Sequence, residues 1–119
     1  MIILDYKDAR PIYEQVVEKF KLLILKGVLD KDAQMPSVRS LAMELSINPN
    51  TIQKAYAELE RQGYIYAVKG RGNFISDSAC LLDKRKEELK LRLKELYREG
   101  KELGMAKSDF MEYLSRLDE

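Results

Sequence analysis

Apolar residues recur at helical spacing early in the chain. Ile12, Val16, Phe20, Leu23 and Ile24 share one helical face, while Glu14, Glu18, Lys19 and Lys21 fill the others. This pattern predicts a helix over residues 11–26. Pro11 suits its first position, where a missing N–H costs nothing, and Gly27 supplies the stop. A polar connection follows over residues 28–35. Ser37 then reads as an N-cap, and Val38, Leu41, Ala42 and Leu45 form a short apolar stripe. A third start signal comes almost at once: Asn48 as N-cap and Pro49 as first helical residue, with Gly63 closing the helix. Two short helices joined by about three residues have the spacing of a helix-turn-helix.

On the third helix Ile52, Ala55, Tyr56 and Leu59 share one face, and Asn50, Lys54, Ala57 and Arg61 the opposite one, with Gln53 at its margin. That outer stripe is polar and meets no acidic residue until Glu58. Most exposed helix faces are simply solvated, so the stripe alone does not establish contact with bases.

After Gly63 the period changes from helical to extended. Residues 64–68 are rich in aromatic and β-branched residues, Lys69-Gly70-Arg71-Gly72 reads as a turn, and residues 73–76 resume an extended pattern through Phe74 and Ile75. A lone hairpin is marginal, so this one must pack on the helices. Tyr64 and Tyr66 are able to stack on bases, but cross-strand aromatics more commonly stabilise the ribbon itself.

Residues 77–80 read as a linker. Beyond it Leu82, Leu89, Leu93, Leu96 and Leu103 stand 7, 4, 3 and 7 residues apart, a heptad seam in which Lys86 and Gly100 are the imperfect positions. Gly104 breaks this helix. Ser108 is able to cap another, whose apolar face carries Phe110, Met111, Leu114 and Leu117. Such a seam must be buried somewhere, either on its own domain or on a second copy; its long, otherwise charged helix favours the second copy. The expected architecture is mainly α with a small β-hairpin wing. A winged helix-turn-helix domain occupies residues 1–76, a linker 77–80, and a helical dimerisation segment of two helices 81–119.

Composition narrows the chemistry. The 119 residues contain no histidine and one cysteine, Cys80, so neither a Cys/His zinc site nor an intrachain disulfide can form. The carboxylates are scattered among lysines, and no nucleophile–base pair can be assembled. An enzyme is not expected, nor any cofactor or metal. No apolar run approaches membrane-spanning length and no basic-then-apolar leader is visible, so a cytoplasmic protein is expected. Net charge is only +1, with 11 Lys+Arg against 9 Asp+Glu in residues 1–76 and 10 against 11 in residues 77–119. Any affinity for phosphate must therefore come from local placement of basic residues.

Five stretches resemble the GntR family of bacterial regulators and occur in that family's order. They are Pro11-Ile12-Tyr13-Glu14-Gln15, Met35-Pro36-Ser37-Val38-Arg39-Ser40-Leu41-Ala42, Asn48-Pro49-Asn50-Thr51-Ile52-Gln53-Lys54-Ala55-Tyr56, Leu59-Glu60 and Gly70-Arg71-Gly72-Asn73-Phe74. The short helical tail resembles the YtrA-type branch, with a dimerising appendage in place of a large effector domain. The resemblance implies a homodimeric transcription regulator, acting as a repressor on a palindromic double-stranded operator. It assigns DNA contacts to Arg39, Asn50, Thr51, Gln53 and Gly70. Other branches often have a basic residue where this chain has Pro49 and Gln53, so their base preference does not transfer.

Residue chemistry extends the implied docking. Arg39 suits a guanine edge or a phosphate, Asn50 and Gln53 suit adenine, and Ser37 and Thr51 beside helix N-termini suit phosphate oxygens. Lys54 and Arg61 add charge along the third helix, and Lys69 and Arg71 flank Gly70 at the wing tip. The dimer would be held by Leu82, Leu89, Leu93, Leu96, Leu103, Phe110 and Leu114. Two rival readings are a winged-helix module for protein partners, which an acidic or apolar third-helix face would favour, and a ligand-switched sensor, for which a tail of about 43 residues leaves little room for a pocket of several hundred Å³.

Overall fold

The computed structural model describes residues 2–118. They form α1 (Ile12–Leu25), α2 (Val38–Leu45), α3 (Pro49–Arg61), β1 (Ile65–Val68), β2 (Gly72–Ile75), α4 (Ser78–Glu102) and α5 (Lys107–Arg116). The chain divides into two compact units, one ending at Leu82 and the other beginning at Asp83.

In the first unit, α1 and α3 supply most of the core. Val16, Phe20 and Ile24 from α1 meet Ile52, Ala55, Tyr56 and Leu59 from α3, closed by Leu41 of α2 and by Ile65 and Ile75 of the strands. These are the faces predicted from period. Phe20 and Tyr56 pack edge to face, ring centroids 6.1 Å apart. Tyr56 also carries its hydroxyl into this core, where it donates to the Pro36 carbonyl at 2.7 Å, and burial pushes the phenol well above its usual range. The bond ties α3 to the residue that precedes the α2 cap. Tyr56→Phe is expected to cost about 1 kcal/mol, lowering Tm by roughly 4–8 °C; a calorimetric scan with unchanged Tm would refute that role.

The helix ends follow their caps. Ser37 Oγ accepts the Ser40 N–H at 3.0 Å, and Asn48 Oδ1 accepts the Asn50 N–H at 2.8 Å with Pro49 in the first turn. Between them Ser46 closes α2 in the left-handed region (φ 56°) and Ile47 N–H reaches back to the Ala42 carbonyl at 2.9 Å. That reversal sets the tight turn between α2 and α3. At α1 the start differs by one residue from expectation. Pro11 is the N-cap with extended ψ of 148°, and its carbonyl accepts the Glu14 and Gln15 N–H groups.

The strands pair antiparallel with Ile65 opposite Ile75, Tyr66 opposite Phe74, Ala67 opposite Asn73 and Val68 opposite Gly72. Tyr66 stacks on Phe74 at 5.8 Å, and Tyr64 is buried, so both tyrosines serve the hairpin and core. The connection before α2 is not merely polar loop. Asp32 N–H donates to the Ile75 carbonyl, Ile75 N–H to the Ala33 carbonyl and Met35 N–H to the Asn73 carbonyl, all at 2.8–2.9 Å. Residues 32–35 thus pair along the free edge of β2, which answers how a marginal hairpin is held to the helices.

Residues 78–80, expected as linker, are the first turn of α4. Asp77 starts that turn by accepting the Ala79 N–H on its carboxylate at 3.0 Å, and Leu81 packs against the first unit's core. In the second unit, α4 ends near Gly104 (φ 88°). Ser108 does not cap α5: the helix begins after Ala106, whose N–H donates to the Asp109 carboxylate at 2.7 Å. A residue three positions into the helix satisfies the end that the serine was expected to satisfy. Gly100 is buried where a Cβ would overlap the Phe110 ring, and that ring also meets Tyr97 with centroids 5.1 Å apart. Its place in the heptad is an imperfection only if α5 is ignored. The rest of the seam is open: Leu89, Leu93, Leu96, Leu103 and Leu114 are 47, 53, 59, 79 and 50% exposed, and Leu82 36%.

Candidate nucleic-acid interface

Two capped helix starts and one hairpin tip carry the candidate residues. Ser37 and Arg39 open α2, and Asn50, Thr51 and Gln53 open α3. Lys69, Gly70 and Arg71 form the tip beyond the last strand pair. All but the half-buried Thr51 are exposed. At the tip Gly70 (φ 78°) and Gly72 (φ 111°) both adopt positive φ, a conformation costly for other residues. Arg71 N–H closes the loop onto the Val68 carbonyl at 2.9 Å.

Hydrogen bonds and ion pairs divide the polar side chains into two groups. Among the described residues, the side chains of Arg39, Asn50, Gln53, Lys69 and Arg71 have no such partner, so their donors and acceptors face water. Ser37 is half occupied, because its oxygen accepts from Ser40 while its O–H remains able to donate. Lys54 and Arg61 are committed elsewhere. The Lys54 ammonium lies 3.9 Å from the centroid of the Tyr13 ring on α1, a contact that draws a cation off the outer stripe. Arg61 forks onto the Glu58 carboxylate. The charge that Lys54 and Arg61 were expected to add along α3 is therefore already engaged within the chain.

Glu58 shows how firmly that second group is paired. Hydrogen bonds from Arg61, then Gln62 at 2.7 Å, hold its carboxyl at about 2 against an ordinary 4.5. A carboxyl depressed in the folded state stabilises the fold above its unfolded pKa, and that contribution is lost as pH falls from about 4.5 to about 2. We expect the Glu58 carboxyl resonance to titrate near 2 and acid unfolding of Glu58→Gln to depend less on pH across that window. A Glu58 midpoint near 4.5 would contradict the pairing.

No group of His, Cys, Asp and Glu among the described residues is arranged to hold a metal ion, and no described helix is long and apolar enough to cross a membrane. The tail also differs from expectation in the space it leaves. Between α4 and α5 lies an open groove of about 840 Å³, lined by Leu93, Leu96, Tyr97, Leu103, Phe110, Met111 and Leu114 with Lys90, Lys94 and Lys107 at its margin. A short tail thus leaves room for a sizeable open groove beside the point where the Phe110 ring meets Gly100 and Tyr97.

The arrangement of capped helices and wing agrees with a sequence match to the family model described as bacterial regulatory proteins, gntR family, over residues 12–75. The chain belongs to the GntR family. Its tail is matched as well as its winged domain: the chain is 38% identical over 119 residues to the HTH-type transcriptional repressor YtrA of Bacillus subtilis, covering 98% of this chain and 92% of YtrA. A solved transcriptional regulator from Oenococcus oeni superposes with a TM-score of 0.74 at 32% identity, covering 100% of this chain and 98% of that one. The AraR DNA-binding domain, solved in complex with operator ORE1, matches 64% of this chain and 93% of its own, with a TM-score of 0.55 and 30% identity. This GntR-family chain is a DNA-binding transcription regulator with a winged helix-turn-helix fold.

Sequence reasoning missed Tyr13, Asp32 and Gln34. Tyr13 stands out in the sequence only within a family stretch, yet its ring in the first turn of α1 receives the Lys54 ammonium from α3. Asp32 and Gln34 lay in a segment too short and too polar to read as a strand.

Proposed function

We propose that two copies of this chain, joined through their tails, bind a palindromic operator and repress transcription from it. The observation that carries the DNA contacts is the division of side chains just described: Arg39, Asn50, Gln53, Lys69 and Arg71 are exposed and unpaired, whereas neighbouring cations are occupied. In this reading α3 enters the major groove N-terminus first and α2 crosses the backbone. Asn50 and Gln53 offer the paired donor and acceptor that match adenine, and Arg39 forks onto a guanine or clamps a phosphate. Ser37 and Thr51 donate hydroxyls to phosphates beside helix N-termini. Lys69 and Arg71 take the flanking backbone or minor groove, and Gly70 lets the tip approach closely. Lys54 contributes only if it leaves Tyr13.

For the dimer, the support is the apolar run of Leu82, Leu89, Leu93, Leu96, Leu103 and Leu114 left in water on a single chain. Contiguous patches of that kind are unusual on monomers and mark interfaces. Phe110 belongs to the same surface but spends part of its ring on Gly100 and Tyr97 of its own chain. Selection from a pool of random duplexes tests the operator reading. Enrichment of an inverted repeat, with half-sites one or more helical turns apart, is the expected result. Recovery of no common sequence would overturn it.

A further inference from the structure

The wing tip is held by a contact that strand pairing does not supply. Beyond Val68 and Gly72 the ladder stops, and the tip loop is closed by the single Arg71 N–H bond to the Val68 carbonyl. The Arg71 carbonyl points the other way, and Gln34 takes it: Nε2 donates to that oxygen at 2.8 Å, across 37 residues of sequence. A Cβ on Gly72 would come 3.2 Å from the same Nε2, so the glycine both permits the φ of 111° and clears space for the amide. Two residues before Gln34, the Asp32 carboxylate accepts the Tyr66 hydroxyl at 2.7 Å. Asp32 itself sits at φ 65°, a backbone strain in a non-glycine residue that its two bonds to the hairpin help to maintain.

Chain direction gives these contacts their meaning. Three residues after Gln34 comes Ser37, the cap of α2, and five residues after it comes Arg39. Gln34 therefore links the loop bearing Lys69 and Arg71 to the helix start bearing Arg39. We propose that Gln34 is a positioning residue for DNA binding: its carboxamide, seconded by the Tyr66–Asp32 bond, fixes the wing tip relative to α2 so that both meet the duplex without further ordering. This rests on the reading above, that the wing tip touches DNA. An exposed hydrogen bond adds little to global stability, but a tip already held in its bound orientation avoids the entropy of being ordered on binding.

The test uses the full chain and a duplex carrying the selected inverted repeat. Gln34→Met keeps the length of the side chain and removes its donor; Lys69→Ala with Arg71→Ala removes the tip's charge while leaving the Arg71 carbonyl. Gln34→Met is expected to weaken binding about three- to tenfold, to leave the salt dependence of affinity unchanged because Lys69 and Arg71 still meet phosphates in the complex, and to speed hydrogen exchange at the tip amides while Tm stays put. Combined with the double alanine variant it should cost little more, because it acts through the tip. If the double variant weakens binding but Gln34→Met does not, or if the two losses multiply, the positioning role is wrong and the DNA reading stands. If the double variant binds as tightly as the parent chain, the wing does not touch DNA and both readings of it fall.

Discussion

A chain ending at Leu82 is expected to remain folded, to sediment as a monomer, and to bind the operator roughly 10²–10⁴-fold more weakly than the full chain. The cut is placed there because Leu81 still packs on the core of the first unit and Asp83 begins the second. Every residue of the buried core lies before it, between Ile2 and Ile75, so the transition of that unit should persist. What disappears is the apolar run from Leu89 to Leu114 and, with it, the link that turns two half-site contacts into one event. The loss is one of effective concentration, since no DNA contact is removed. Leu93→Glu with Leu96→Glu in the full chain should do the same by placing charges in the seam. A shortened chain that sediments as a dimer, or that keeps full affinity, would show that the tails are not what joins two copies.

Arg39→Ala is the second large effect. It is expected to cost about 1–3 kcal/mol of operator binding, a loss of roughly 5- to 150-fold. Arg39 is exposed and has no hydrogen-bond or ion-pair partner among the described residues, so its removal should leave Tm unchanged. That separation distinguishes it from Arg61, whose guanidinium serves Glu58. Replacing Arg39 by lysine distinguishes its two possible contacts. A phosphate clamp tolerates a point charge, whereas a bidentate guanine contact does not. Unchanged affinity of a folded Arg39→Ala dimer would remove the residue from the interface.

The winged domain was largely legible because its signals are local. Ser37, Asn48, Pro49 and Gly63 are read from residue type alone, and the apolar spacing on α1 and α3 leaves one way to face the helices. The hairpin followed from a change of period at Gly63. Long-range partners were not legible in this way. The angle of Lys54 places it on the outer face of α3, yet a four-carbon stem lets its ammonium reach Tyr13. Residues 32–35 hold only short backbone pairing to β2, and such a strand has no periodicity to detect. In the tail, Gly100 looked like a gap in a heptad because its reason for being small, the Phe110 ring, lies ten residues away. Asp109 displaced Ser108 as the residue satisfying the α5 start, since either side chain can do so and sequence spacing does not choose between them.

Fluorescence anisotropy on the selected inverted repeat, against a scrambled duplex of equal composition at about 0.15 M salt, measures most directly whether two copies of the chain read a palindromic sequence. At that ionic strength nonspecific attraction through Lys69, Arg71 and other surface cations is already weakened. A preference of about 10³-fold or more for the repeat, with two chains bound per duplex, is the expected result. Equal, weak binding to both duplexes would contradict it.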